Sequence, residues 1–277
     1  MENLEKDEII PLVSINCVTY NHIHFIRDTI EGFINQKTSF PFEILIYDDA
    51  STDGTVDIIR EYAEKYPDLF HVIYQKENQY QKGISVARKY QYPRVRGKYI
   101  AFCEGDDYWT DPLKLEKQIR FLEFNPDFVF CFHAYQVLDQ QGSLTTRKRW
   151  PQEKVIFQKD IMWQLCNQLC TSVFRIDAMP THRGYTKNKN IHGDFVTTVH
   201  ASGLGKGKYF PDVMAVYRKH AGGIASSLIN SERYKKSLLS RIHVMHNQKL
   251  QFTSWIYGCF AIIKYGLGYL FWKLTGK

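Results

Sequence analysis

The sequence predicts an α/β domain with a mainly parallel sheet flanked by helices. Two observations carry this. Apolar, strand-like runs are each followed by a polar loop and then by helical periodicity, and two such runs end in clusters of acids, as at a sheet edge that gathers ligands. Leu12 to Val18 is the first run; Thr19, Tyr20, Asn21 and His22 break it, and Ile23, Ile26, Ile30 and Phe33 then recur at helical spacing. The stretch FEILIYDDASTDGT, 42–55, repeats the pattern. Ile44 to Tyr47 is apolar, Asp48 and Asp49 close it, and Ser51, Thr52 and Asp53 are N-cap candidates for an amphipathic helix from Val56 to Tyr66.

A further apolar run, KYIAFCEGDDYW from Lys98 to Trp109, ends in Glu104, Asp106 and Asp107 with only Gly105 between them. Acids this close repel one another unless a cation sits among them. A hard divalent ion such as Mg²⁺ or Mn²⁺ takes oxygen ligands of this kind and commonly shares them with a substrate phosphate. The same residues also suit a solvated turn. Two strands that deliver acids to one edge favour the chemistry of nucleotide phosphates.

The stretches VSINCVTYNH, EILIYDDASTDGT, GKYIAFCEGDDYWTDPLKLEKQ and VMAVYRKHAGGIAS together resemble the family 2 glycosyltransferases with a GT-A fold, over roughly residues 11 to 227. The resemblance implies a nucleotide-diphospho-sugar transferase fold and inverting transfer of a sugar from a nucleotide diphosphate donor, a UDP-sugar being favoured, with Mg²⁺ or Mn²⁺. Position by position, Tyr20 and Asn21 match the loop that lines the nucleotide base. Asp49 matches the residue that accepts a hydrogen bond from the base, with Asp48 its partner, although either acid could serve a turn. Arg88 matches a basic position near the nucleotide, where a guanidinium fork suits phosphate oxygens, or is an exposed helix charge. Asp106 and Asp107 match the metal and ribose acids, and Glu104 stands where Asp is more usual. His220, with Arg218 two positions before it, matches a basic or metal-contacting position.

The stretch IHGDFVTTVHASGLGKG, 191–207, resembles the family's acceptor-side helix, with Gly193 and Asp194 where a Glu-Asp pair is usual. Asp194 matches the catalytic base. A carboxylate suits that task, because the acceptor hydroxyl gives up its proton as its bond to the anomeric carbon forms. It equally suits a helix N-cap.

With 277 residues, 44% of them hydrophobic, the chain can bury a substantial core, and a mean hydropathy of -0.36 argues against a multispan membrane protein. Cys17, Cys103, Cys131, Cys166, Cys170 and Cys259 show no paired metal spacing, which fits a reducing cytoplasm. MENLEKDEII lacks a signal-peptide run, so export by that route is not expected.

The net charge of +7 is uneven: residues 231–277 carry eight Lys or Arg against Glu232 alone, so the first 230 balance. The expected division is therefore a catalytic domain, 1–230, and a basic, aromatic-rich tail, 231–277. Within the tail, Trp255 to Trp272 is interrupted by one charge, Lys264. Its aromatic residues and basic flanks suit an anionic membrane surface, while packing on the domain or a true span remain open; Gly258, Gly266 and Gly268 weaken a single long helix. The expectation is a peripheral enzyme on the inner face of the cell membrane, acting on a saccharide or lipid-linked acceptor in capsule or lipopolysaccharide assembly. A metal-dependent nucleotide-sugar or phosphoester hydrolase could use the same acids. A nucleic-acid binder fits less well, because its basic stripe should lie on the folded domain. TYNH in place of GxGxxG counts against a dinucleotide-dependent oxidoreductase.

Overall fold

The computed structural model describes residues 9–164, 167–180, 191–223 and 228–275; Cys166 lies outside them. In chain order the elements are β1 (Val13–Thr19), α1 (Ile26–Ile34), β2 (Phe42–Asp48), α2 (Thr55–Lys65), β3 (Phe70–Tyr74), β4 (Tyr99–Phe102), β5 (Tyr108–Trp109) and α3 (Lys114–Phe124). Then follow β6 (Phe128–Leu138), β7 (Leu144–Arg147), β8 (Lys154–Ile156), α4 (Gln158–Trp163), β9 (Val173–Arg175), α5 (Gly193–Leu204), β10 (Lys206–Arg218), α6 (Asn230–Asn247) and α7 (Phe252–Thr275). A π-helical turn, Ala87–Gln91, precedes β4.

The sheet runs β3-β2-β1-β4-β9-β6-β10-β5, with β7 beside β6 and β8 beside β10. The parallel order read from the repeating pattern holds from β3 to β4 and again between β6 and β10. Between these sections β9 pairs antiparallel with both β4 and β6. With three residues, β9 is too short to show periodicity. Alternation along the strands feeds two cores. Tyr99, Ala101 and Cys103 face a cluster built with Ile26, Ile30, Ile59, Leu115 and Ile119 of α1, α2 and α3. Ile100 and Phe102 face the other cluster, with Ile161, Phe195, Val199 and Val244 of α4, α5 and α6. Each wholly buried aliphatic or aromatic side chain contributes about 1.5–3 kcal/mol, so the two cores fix the sheet between its helix layers.

The basic tail folds back on this frame. Arg241 is 3% exposed; its Nε donates to the Met162 carbonyl at 3.0 Å, and its guanidinium lies over Phe195 and Tyr265. The α7 helix is continuous through the glycines expected to weaken it. A Cβ at Gly258 would stand 2.7 Å from Met162 Cε and 2.8 Å from Met245 Sδ, so glycine there permits the helix to approach α4 and α6. The outer face of α7 exposes Phe252, Trp255, Phe260, Ile263, Leu267 and Leu270. Among the described residues no helix is long and apolar enough to cross a membrane.

Lys114, at the start of α3, is fully buried, with Nζ 2.7 Å from Gln118 Oε1 and 4.0 Å from the Trp109 ring centre. Burial pushes its pKa down from 10.5 to about 8. The native state thus binds fewer protons than the unfolded chain between those values, and stability should rise with pH through that window. Below it the buried ammonium carries its full penalty. In urea denaturation, any advantage of Lys114→Met over wild type should shrink by up to about 3 kcal/mol as the pH climbs through the titration. A pH-independent difference would contradict the burial of a charged Lys114.

Candidate active site

A cleft of about 680 Å³ opens along the carboxyl ends of β1, β2 and β4, and α5 and α6 complete its wall. Tyr20, Asp49, Arg88, Glu104, Asp106 and Asp194 all line it. A smaller hollow of about 490 Å³, between α1 and Trp109, contains none of these residues.

The loop after β1 is held by side chains of the loop after β2. Asn21, at φ 54°, donates its N–H to Ser51 Oγ at 2.9 Å, and its Oδ1 accepts the Thr52 N–H at 2.8 Å. Asp53 accepts N–H groups from Ile23 and Thr55, which joins this loop to the start of α2. Asn21 is thus part of the frame, whereas Tyr20, 37% exposed, faces the cleft. His22 is set by the same loop. Its N–H donates to Thr55 Oγ1 at 2.9 Å, and its Nδ1 lies 3.2 Å from Thr19 Oγ1, leaving Nε2 directed toward Asp106.

The acids after β2 divide their work. Asp48 is buried and accepts the Ser51 N–H at 2.9 Å; burial raises its pKa. Asp49 borders the cleft and accepts the backbone N–H groups of Gln79 at 2.8 Å and Tyr80 at 2.9 Å. It therefore holds the loop that brings Asn78, Tyr80 and Ile84 to the cleft wall.

The acidic turn after β4 divides too. Gly105 packs so tightly that a Cβ there would lie 2.5 Å from Thr19 Oγ1, which brings the turn against the β1 loop. Glu104 opens onto the cleft. The dense cleft floor, then the charges of Asp106 and Asp194, push its pKa up to about 8 even though solvent reaches the side chain. Asp106 Oδ2 lies 3.0 Å from His220 Nε2 and 3.9 Å from His22 Nε2. Burial acts to raise the Asp106 pKa, but the His220 hydrogen bond and the charges of both histidines outweigh it and hold the group below its ordinary value. Burial lowers the His22 pKa. Asp107 does not reach the cleft: 2% exposed, it accepts the Arg218 N–H at 2.9 Å, and burial followed by the charge of Asp106 raises its pKa.

Among the described residues, one group of side chains could hold a metal ion: His22, Asp106 and His220, whose ligand atoms all lie within 4.8 Å of one another. Its chemistry fits. The lowered pKa values favour a neutral imidazole at His22 and an ionised carboxylate at Asp106, the forms a cation binds. Two imidazoles with one carboxylate suit Mn²⁺ better than Mg²⁺. Asp106 and His220 were expected there; His22 was legible only as a polar residue directly after the first strand. Glu104 and Asp107 stand outside the group.

Asp194 lies in the first turn of α5, where Phe195 N–H donates to its Oδ1 at 2.8 Å. His192 is the N-cap residue, so Asp194 does not cap this helix. Arg88, on the π-helical turn, acts electrostatically on His200 and His243. The tail contributes Lys236 and His243 to the cleft, which sequence reasoning did not anticipate.

Residues 14–191 match the family described as Glycosyl transferase family 2. The chain is 30% identical over 244 residues to an E. coli protein named UDP-Glc:alpha-D-GlcNAc-diphosphoundecaprenol beta-1,3-glucosyltransferase WfaP, covering 84% of this chain and 88% of that one. It is 37% identical over 228 residues to an uncharacterised Mycobacterium tuberculosis protein; the match covers 80% of this chain but 62% of that relative's length. The fold matches S. aureus TarS 1-349 in complex with UDP-GlcNAc at a TM-score of 0.65 and 19% identity, over 92% of this chain and 72% of that one. It also matches a Pyrobaculum calidifontis mannosyltransferase in complex with GDP-Man and Mn²⁺, at 0.62 and 16%, over 96% and 76%. These are GT-A glycosyltransferase structures, and the α/β sheet flanked by helices matches their fold.

Asp49 gives a direct test of the frame. Asp49→Ala leaves two backbone N–H groups without acceptors and should cost about 2–4 kcal/mol in urea denaturation. A loss below about 0.5 kcal/mol, the scale of an ordinary surface substitution, would mean the loop does not depend on Asp49.

Proposed function

The chain belongs to glycosyl transferase family 2, and from that premise we propose that it transfers a hexosyl or related sugar, with inversion, from a nucleotide diphosphate donor to a saccharide or lipid-linked acceptor. One observation carries this: Tyr20, Asp49, Arg88, Glu104, Asp106 and Asp194 share a single cleft. UDP is the favoured donor nucleotide, with support from the UDP-sugars named for the E. coli relative and for TarS.

In the proposed reaction Tyr20 and the loop held by Asp49 receive the nucleotide, and the acidic turn receives the diphosphate. His22, Asp106 and His220 are the residues that would hold a divalent cation. Bound there, it would supply positive charge that favours departure of the diphosphate, as the Mn²⁺ complex of the archaeal neighbour supports. Asp194 accepts the proton of the acceptor hydroxyl while that oxygen bonds to the anomeric carbon. The carbon's bond to the diphosphate oxygen breaks, and its electron pair leaves with the nucleotide. A single displacement of this kind inverts the anomeric centre and needs no covalent enzyme intermediate. The Phe195 N–H holds one oxygen of Asp194, so the second is the one to take the proton.

The exposed apolar face of α7 and the tail's charge support binding at the inner face of the cell membrane, where a lipid-linked acceptor of polysaccharide or lipopolysaccharide synthesis would be met.

Asp194→Asn should leave UDP affinity within about twofold of wild type and lower sugar transfer by roughly 10²-fold or more, the scale of a lost general base. Near-normal transfer by this variant would remove Asp194 from the role. For the cation, calorimetric titration of Mn²⁺ in the presence of UDP should show affinity falling by at least about tenfold in Asp106→Asn and His220→Ala, and by less in Asp107→Asn. The reverse order would place the ion at Asp107.

A further inference from the structure

The cleft changes sign along its length. His22 and Asp106 line one end, with His220 against Asp106. Glu104 lines the cleft two residues before Asp106, and Asp194 lines it from the first turn of α5, two residues after the His192 that is hydrogen-bonded to α6. Asp194 thus adjoins a basic wall. That wall comes largely from α6. Lys236, Ser240 and His243 recur at helical spacing on one face, and Ser240 Oγ accepts the His192 N–H at 2.8 Å, which pins this face against the start of α5. Lys236 and His243 line the cleft, and Arg88 lies close enough to act on His243.

The wall's position decides its use. On the transferase reading, on which this inference rests, the leaving diphosphate lies at the acidic turn and the acceptor hydroxyl must reach Asp194. Groups beyond Asp194 therefore meet the acceptor. A neutral sugar is recognised by hydroxyl and amide partners and has no need of a lysine and an arginine beside two histidines. Such a set favours an anion, since hydrogen bonds to charged groups are the stronger kind. The same α6 helix leads into α7, whose outer face is apolar. A phosphate that joins a sugar to a lipid would lie between these two environments.

We propose that Lys236 and His243 of α6, with Arg88 beside them, form an anion subsite for a phosphate or diphosphate group carried by the acceptor, separate from the site of the donor diphosphate.

The test is equilibrium binding to the full chain presaturated with UDP and Mn²⁺. Decyl diphosphate is the probe, decyl glucoside the neutral control, and inorganic pyrophosphate the control for a free anion. Decyl diphosphate should bind with UDP in place, at least about tenfold tighter than either control. The Lys236→Gln/His243→Gln double variant should weaken it by about tenfold or more with UDP affinity retained, which also reports an intact cleft, and Lys236→Arg should keep most of the binding. Competition between decyl diphosphate and UDP would assign the cations to the donor and overturn the proposal. Equal binding of the glucoside, equal binding of pyrophosphate, or an unaffected double variant would each overturn it as well. Absence of UDP binding to the wild-type chain, read in the first titration, would instead remove the transferase reading on which the proposal rests.

Discussion

The site depends on Arg218, at the end of β10. Only 8% exposed, it pairs with Asp28 of α1 and donates from Nη1 to the Asp106 carbonyl at 3.1 Å, while its own N–H meets Asp107 Oδ1 at 2.9 Å. Its guanidinium also lies over Phe25 and Tyr108. A buried cation of this kind is costly unless its partners are in place, so the residue penalises any arrangement in which the acidic turn departs from β10. With the Asp106 carbonyl and the Asp107 carboxylate held inward, the Asp106 carboxylate is left to face His22 and His220. Thr29 reinforces the turn from α1, donating its hydroxyl to the Asp107 carbonyl at 2.6 Å. The repulsion among three neighbouring acids is thereby managed by separation: one points into the protein, one lies between histidines, and one opens on the cleft.

That separation gives the cleft an order. In the proposed reaction, phosphate chemistry belongs at the histidine end, proton transfer at Asp194, and a basic wall lies beyond. Desolvation raises the Glu104 pKa first and the charges of Asp106 and Asp194 raise it further, so Glu104 marks the point where acids from the two halves of the chain meet. One half supplies β1, β2 and β4 with their loops; the other supplies α5 and α6. Because α6 is held through Ser240, Arg241 and Gln248, the basic segment after residue 230 is joined to the cleft as well as to α7.

The parallel half of the sheet was legible because each of its strands is a complete local signal: an apolar run, a polar break, then helical spacing. Observed β2 extends two residues before and one beyond the run Ile44 to Tyr47, and α2 begins one residue before the expected start. Three-residue β9 carried no such signal. At the site, spacing identified the acidic turns but not which acid faces where, since adjacent residues on a turn diverge by contacts made far along the chain. The inward direction of Asp107 depends on Arg218, 111 positions later. The engagement of Asp49 by the Gln79 and Tyr80 N–H groups is equally non-local. Lys236 was legible only as part of the tail's basic charge and His243 not at all, because nothing in their neighbourhood reveals that α6 folds back on α5.

The measurement that bears most directly on this arrangement is a crystal structure of the chain with UDP and Mn²⁺, with anomalous differences recorded at the manganese absorption edge. One strong peak should appear at coordination distance from the Asp106 carboxylate and from at least one of the His22 and His220 rings. Asp107 should remain turned toward Arg218, and the UDP phosphates should share the ion. A diphosphate bound with no ion at the turn, or an ion bound by Asp107 with Arg218 displaced, would contradict this arrangement.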